Sequence, residues 1–159
     1  MKQELIIRNL KEKSELFSDI SEQDINDMIK ESNRMDFKRN EKIIFEKESQ
    51  DFFGILLKGT CQVYKVINNK EVPISTLSEG DFFGEISLVL NTKRTASIKA
   101  LSSVIILTVK KQQFLNQIQN NSVLSNQLLR VLCSRLAKTS IQMSTGVRES
   151  LKAQTNYSL

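Results

Sequence analysis

The sequence predicts an α+β fold, a rolled antiparallel sheet with helices before and after it, and three observations predict it. Apolar residues follow helical spacing up to about residue 35 and again after Lys110. Between these stretches lie short runs rich in Ile, Val and Phe. Turn-forming pairs separate the runs: Arg39-Asn40, Lys58-Gly59, Asn68-Asn69 and Glu79-Gly80. Many short strands joined by tight turns close or roll up, which protects their edges. A strand block set between helices is an α+β arrangement. The 159 residues, 40% of them hydrophobic, suffice for one domain with its own core.

Residues 2–13 read as a charged helix with Leu5, Ile6 and Leu10 on one side. A short turn follows over Glu15–Ile20, with Leu16, Phe17 and Ile20 as core candidates. Ser21 opens the next helix, because its hydroxyl can cap the amide of Asp24, and Ile25, Met28 and Ile29 give that helix an apolar face. The strand candidates are Phe37, Ile43–Phe45, Phe52–Leu57, Cys61–Val66, Val72–Leu77, Ala96–Ala100 and Val104–Val109. Pro73 cannot donate to a ladder, so it fits an edge strand or a strand start. Phe114, Leu115 and Ile118 then define a short helix that Asn120-Asn121-Ser122 breaks. A long helix follows, with Leu124, Leu128, Val131, Leu132, Leu136 and Ala137 as its stripe, extended weakly by Ile141, Met143 and Val147 and ended or frayed at Gly146. This divides the chain into one domain over residues 1–145 and a tail over 146–159, whose last residues, Gln154–Leu159, are expected to be disordered. Within the domain, N-terminal helices occupy about 1–35, the roll about 36–110 and two C-terminal helices about 111–145.

Composition narrows the function. Histidine is absent, which removes imidazole as base, metal ligand or pH switch. No nucleophile motif and no paired metal-binding carboxylates stand out, so neither an enzyme nor a metal site is expected. No apolar run is long enough to span a bilayer, and the apolar patch at the start is too short for a secretory signal. Cys61 and Cys133 lack metal-ligand spacing and read as free thiols of a cytoplasmic protein. The net charge of +5 is concentrated at one end: residues 111–159 carry six Lys or Arg against Glu149 alone. That excess suits a solvated helix face, a lid over an anionic ligand or a surface for an acidic partner.

The chemistry concentrates in Phe83-Gly84-Glu85-Ile86-Ser87-Leu88 and Arg94-Thr95-Ala96-Ser97-Ile98. Gly84, without a Cβ, lets the backbone approach a ligand. Glu85–Val89 can form one helical turn, whose first amides point at an anion. Arg94 offers a planar fork that fits two phosphate oxygens. Glu85 repels phosphate but accepts hydrogen bonds from a sugar hydroxyl. A carboxylate for a sugar beside an arginine for a phosphate describes a nucleotide-shaped site.

Residues 80–100 resemble the phosphate-binding cassette of cyclic nucleotide-binding domains, as found in protein kinase A regulatory subunits, cyclic-nucleotide-gated channels and the cAMP receptor protein. The resemblance rests on F-G-E-x-S-L, the ungapped spacing to Arg94 and the following R-T-A-S-I. Lys93 stands where proline is common. The likeness extends over roughly residues 14–140 and implies a jelly-roll-like β-roll, with Gly59 as the family glycine between the third and fourth strands. Glu46-Lys47-Glu48-Ser49-Gln50-Asp51 lacks both glycines of the usual E-G-D-x-G-D turn, a departure expected to lie outside the cassette.

The resemblance also implies a mechanism. The cyclic phosphate would sit on Arg94 and the amides of Ile86 and Ser87, and the ribose 2′-hydroxyl on Glu85 and the Gly84 amide. Phe83, Thr95 and Ala96 would border the ligand, and Leu77 would lie under the purine. The long C-terminal helix would close as a lid, with Arg135 where hyperpolarisation-activated channels place a basic lid residue. The ligand would be cAMP or cGMP, with cAMP favoured. The function implied is a cyclic nucleotide sensor or regulatory module. One alternative is a dimeric regulator related to the cAMP receptor protein without its DNA-binding part, because Leu128–Leu136 resembles that family's dimerisation helix. Another is a scaffold whose cassette stays unliganded. The partners implied are a cyclic purine nucleotide and either a second copy, through the C-terminal helix, or an effector protein. Too few residues remain before Leu159 for a helix-turn-helix, so direct nucleic-acid binding is not expected.

Overall fold

In the computed structural model, residues 2–156 are described. Two antiparallel four-stranded sheets form the roll. The first has the order β1 (Asn33–Phe37), β8 (Val104–Lys110), β3 (Phe52–Lys58), β6 (Phe82–Phe83). The second has the order β2 (Lys42–Ile44), β7 (Ser97–Ala100), β4 (Cys61–Ile67), β5 (Lys70–Leu77). The helices are α1 (Gln3–Lys13), α2 (Glu22–Ile29), α3 (Glu85–Val89), α4 (Lys111–Asn120) and α5 (Ser122–Asn156).

Two apolar clusters hold the fold. Ile43, Ile44, Leu56, Cys61, Leu77, Phe83, Ile98 and Ile106 fill the space between the sheets. On the other face of the first sheet, Phe53, Ile55, Leu57, Leu107 and Val109 pack against Leu10, Phe17, Ile25, Met28, Phe114 and Leu128. That sheet is therefore covered on both faces, which is why β3 reads as a continuous apolar run and not as an alternation. The second sheet leaves β5 as an exposed edge, and Pro73 sits there as expected. Asn68 and Asn69, with φ of 50° and 60°, make the two-residue turn of the β4–β5 hairpin.

The helices follow the sequence in most respects. Ser21 Oγ accepts the Asp24 amide at 3.1 Å. Leu16, Phe17 and Ile20 are buried. Three readings need correction. In α1 the buried residues are Ile7 and Leu10, while Leu5 is 47% exposed, because the helix docks about one position round from the face the spacing suggested. The N-terminal helical region ends earlier than residue 35, since β1 begins at Asn33 and pairs along β8. Finally, α5 runs through Gly146 to Asn156. A helical glycine costs only about 1 kcal/mol relative to alanine, too little to stop a helix flanked by better formers. Residues 157–159, where the disordered tail was expected to end, lie outside the described residues.

The cassette is held by both sheets. Phe82 and Phe83 in β6 pair with Ile55 and Gly54 of β3, while Ser97–Ala100 in β7 lies between β2 and β4 of the other sheet. Gly54 allows this approach: a Cβ there would meet the Phe83 ring at 2.3 Å.

Candidate functional site

Arg94 and Glu85 are both buried, 3% and 4% exposed. Arg94 turns inward. Its Nη1 donates to the Gly84 carbonyl and to Ser87 Oγ, each at 2.8 Å, and its Nη2 donates to the Phe52 carbonyl at 2.6 Å. The guanidinium carbon lies 5.0 Å from the centre of the Phe52 ring. Among the described residues no carboxylate reaches it within ion-pair distance, and its buried Nε has no hydrogen-bond partner. Burial lowers its pKa from the ordinary arginine value, against the opposing pull of Asp51 and Glu85. A buried cation held by carbonyls is a strong donor set without a counter-charge.

Glu85 opens α3. Burial raises its carboxyl above the usual carboxylate range, while Arg135, its own backbone amide and Arg94 pull the other way. Its Oε1 lies 3.4 Å from Arg135 Nη1. Arg135 comes from α5, donates to the Phe82 carbonyl at 3.2 Å from both terminal nitrogens, and stacks 4.1 Å from the centre of the Phe82 ring. Its other carboxylate neighbour is Asp81, at 3.6 Å.

Gly84 proves necessary for a reason the sequence did not reveal. It adopts φ 87°, and a Cβ there would come within 2.4 Å of Arg94 Nη1 and 3.1 Å of the Phe52 carbonyl. The missing side chain makes room for the arginine. Ser87 is buried beside Arg94, and its hydroxyl also donates to the Gly84 carbonyl at 3.2 Å. Ile86 and Thr95 face solvent and Ala96 is half-buried, which leaves the mouth of the cassette open. Leu77 and Phe83 are buried in the cluster between the sheets, and the Phe83 ring stands edge-on to Phe52.

The glycine-poor turn touches the cassette after all. Lys47 N–H donates to the Arg94 carbonyl at 2.9 Å, and Arg94 N–H donates to the Glu48 carbonyl at 3.0 Å. Lys47 takes φ 68°, a left-handed conformation that glycine adopts without strain and lysine does not. Phe52, Phe82 and Asp81 also escaped sequence reasoning. Their contributions are two backbone carbonyls, two ring faces and one carboxylate set by β3–β6 pairing, which no side-chain pattern signals.

The stripe on α5 is shorter than its sequence suggested. Leu124, Leu128 and Val131 are buried and Leu132 is half-buried, but Leu136 is 71% exposed and Ala137 is also exposed. From Leu136 to Gly146 the described residues are exposed. Cys61 is buried, with its thiol pushed up to about 11, and Cys133 is exposed; both are free. No helix among the described residues is long and apolar enough to cross a membrane.

Comparison with known proteins places the fold. The chain is 37% identical over 78 residues to a cAMP-dependent protein kinase regulatory subunit of Candida albicans, covering 49% of this chain and 16% of that protein. It is 26% identical over 125 residues to a CRP-like cAMP-activated global transcriptional regulator of Mycobacterium tuberculosis, covering 78% of this chain and 56% of the regulator. The co-crystal structure of the regulatory domain of Toxoplasma gondii PKA with cAMP superposes with a TM-score of 0.64 at 25% identity, over 70% of this chain and 42% of that one. The chain thus spans less than two thirds of each of these relatives. The sequence profile of the cyclic nucleotide-binding domain matches residues 34–121, more than half of the chain and the whole cassette, and the chain belongs to that family.

Proposed function

We propose that residues 1–145 form a cyclic nucleotide sensor, with cAMP preferred to cGMP, that reports occupancy through α5 in a cytoplasmic regulatory protein. One observation carries the reading: a buried guanidinium with no carboxylate partner among the described residues lies next to a buried carboxylate, on the cassette of the cyclic nucleotide-binding domain family. The cyclic phosphate supplies the missing anion. Arg94 exchanges its carbonyl contacts for phosphate oxygens, a trade favoured because charge-assisted bonds are worth about 1.5–3 kcal/mol each. The α3 amides of Ile86 and Ser87 complete the phosphate cradle. The ribose 2′-hydroxyl donates to Glu85 and accepts from the Gly84 amide. Thr95 and Ala96 border the base, with Leu77 and Phe83 supporting the cradle from inside.

Arg135 links this site to α5. It pairs with Glu85, so a sugar hydroxyl arriving at Glu85 changes what holds the helix. The ligand shifts α5 only as far as it binds one helix position better than the other. The preference for cAMP follows the names of the Candida, Mycobacterium and Toxoplasma relatives. Calorimetry with cAMP, cGMP and 5′-AMP tests the reading. Binding of a cyclic nucleotide, with 5′-AMP weaker, is the expected result. Heat from neither cyclic nucleotide at millimolar concentration would overturn it.

A second reading, self-association through α5, has its own support. Leu129, Leu136 and Met143 are exposed at seven-residue intervals, on a flank beside the face that packs on the body. Sedimentation of the parent and of Leu136→Glu decides it, with a dimer that becomes a monomer as the positive result.

A further inference from the structure

We propose that Arg135 competes with the nucleotide for Glu85: held at that carboxylate by Asp81 and the Phe82 carbonyl, it closes the ribose end of the cassette until the sugar displaces it. This regulation rests on the cyclic nucleotide reading, which puts the ribose 2′-hydroxyl on Glu85. Arg135 Nη1 lies 3.4 Å from Glu85 Oε1. The Glu85 side chain is 6% exposed and that of Arg135 is 32% exposed, so the guanidinium is the outer member of the pair. A carboxylate oxygen can accept two donors. Here almost none of the carboxylate is open to solvent, so a sugar hydroxyl reaches it only as Arg135 yields.

Other contacts of Arg135 hold it in place without Glu85. Both terminal nitrogens donate to the Phe82 carbonyl, the guanidinium stacks on the Phe82 ring, and Nη2 lies 3.6 Å from Asp81 Oδ1. Asp81 is itself fixed by the β5–β6 turn. Its Oδ2 accepts the Ser78 amide at 2.8 Å, its N–H donates to the Ser78 carbonyl at 3.0 Å, and its carbonyl accepts the Leu56 amide at 2.8 Å. Asp81 is therefore a positioning residue, which acts on Glu85 through Arg135. When Arg135 gives up Glu85, Asp81 and Phe82 remain as partners, so the displaced charge is not stranded. The competition is reciprocal: whatever holds α5 at Glu85 weakens the nucleotide, and the nucleotide loosens α5 by the same factor. A lid residue has the opposite sign. A basic side chain that closes on the nucleotide strengthens binding, whereas a competitor weakens it.

Calorimetry of the full chain, of Arg135→Gln and of Asp81→Asn, each with cAMP and 2′-deoxy-cAMP, tests the competition. Asp81→Asn keeps an oxygen for the Ser78 amide and removes the charge. Arg135→Gln should bind cAMP about fivefold tighter than the parent, and Asp81→Asn about twofold tighter. 2′-Deoxy-cAMP lacks the hydroxyl that contends with Arg135, so Arg135→Gln should tighten it by less than about twofold. Weaker or unchanged cAMP binding in Arg135→Gln, or an equal gain for both nucleotides, would overturn the competition. A second readout needs no nucleotide. Amide hydrogen exchange over Val131–Thr139 should speed up in both variants by about two- to fivefold, because Arg135 ties this stretch of α5 to the β5–β6 turn. Unchanged exchange in both variants would overturn the tether. If neither nucleotide binds the parent or the variants, the sensor reading fails, and the exchange result still decides whether Arg135 holds α5.

Discussion

Arg94 serves two ends at once, and the conflict between them sets what its removal does. Its side chain satisfies the carbonyls of Gly84 and Phe52, yet it is a buried charge with no carboxylate in ion-pair reach among the described residues. Arg94→Ala leaves two carbonyls to water but also removes a desolvated cation, and these effects oppose each other. We expect ligand-free melts to fall by no more than about 2 kcal/mol and cAMP affinity to fall about tenfold or more. A collapse of the ligand-free fold would mean that Arg94 is mainly a structural bolt. Glu85 gives a pH test. Its carboxyl is raised, chiefly by burial, so the folded state favours its protonated form. That contribution is complete below the usual carboxylate range and is lost as pH rises through the raised value. Glu85→Gln cannot ionise, so it should match the parent in acid and exceed its stability at neutral pH without ligand. A less stable variant at neutral pH would show that the Arg135 pairing outweighs the cost of burial. Lys47 is simpler. Its left-handed backbone should make Lys47→Gly stabilising by about 1 kcal/mol in thermal melts, and no gain would mean the strain is absent.

At the scale of elements, the structure divides α5 in two. Leu124, Leu128 and Val131 belong to the core, each worth about 1.5–3 kcal/mol on burial, whereas the residues from Leu136 to Gly146 that are described are exposed. A chain ending at Asn121 should therefore be badly destabilised, and one ending at Thr139 should keep the melting behaviour of the full chain. Equal melts for both truncations would place the start of α5 outside the core. The boundaries that the sequence misplaced share one cause. Local spacing revealed the helices of Ile25 and Phe114, the capping by Ser21 and the turn of Asn68-Asn69, because those depend on near neighbours. It missed the start of β1 at Asn33, the docked face of α1 and the length of the buried stripe on α5, because those depend on what lies opposite in space. The same division holds in the site. Glu85, Ser87 and Arg94 were legible from residue type and spacing. The Phe52 and Phe82 carbonyls, and the room that Gly84 makes for Arg94, come from β3–β6 pairing and were not.

Across the whole molecule, both sheets and α5 converge on the cassette that holds Arg94 and Glu85. β6 hangs the start of the cassette on one sheet, β7 anchors its end in the other, and Arg135 brings α5 to Glu85. Of the basic residues described between 111 and 159, Arg135 meets Glu85 and Lys111 donates to Asn91, while Arg130 and Lys138 are exposed. The central claim is that Arg94 and Glu85 divide a cyclic nucleotide between them. The most direct measurement is a crystal structure of the full chain with saturating cAMP. The account predicts the cyclic phosphate within hydrogen-bond distance of the Arg94 guanidinium and the amides of Ile86 and Ser87, and the 2′-hydroxyl on Glu85. A nucleotide bound elsewhere, or a cassette in which Arg94 still donates to the Phe52 carbonyl with no phosphate beside it, would contradict the account.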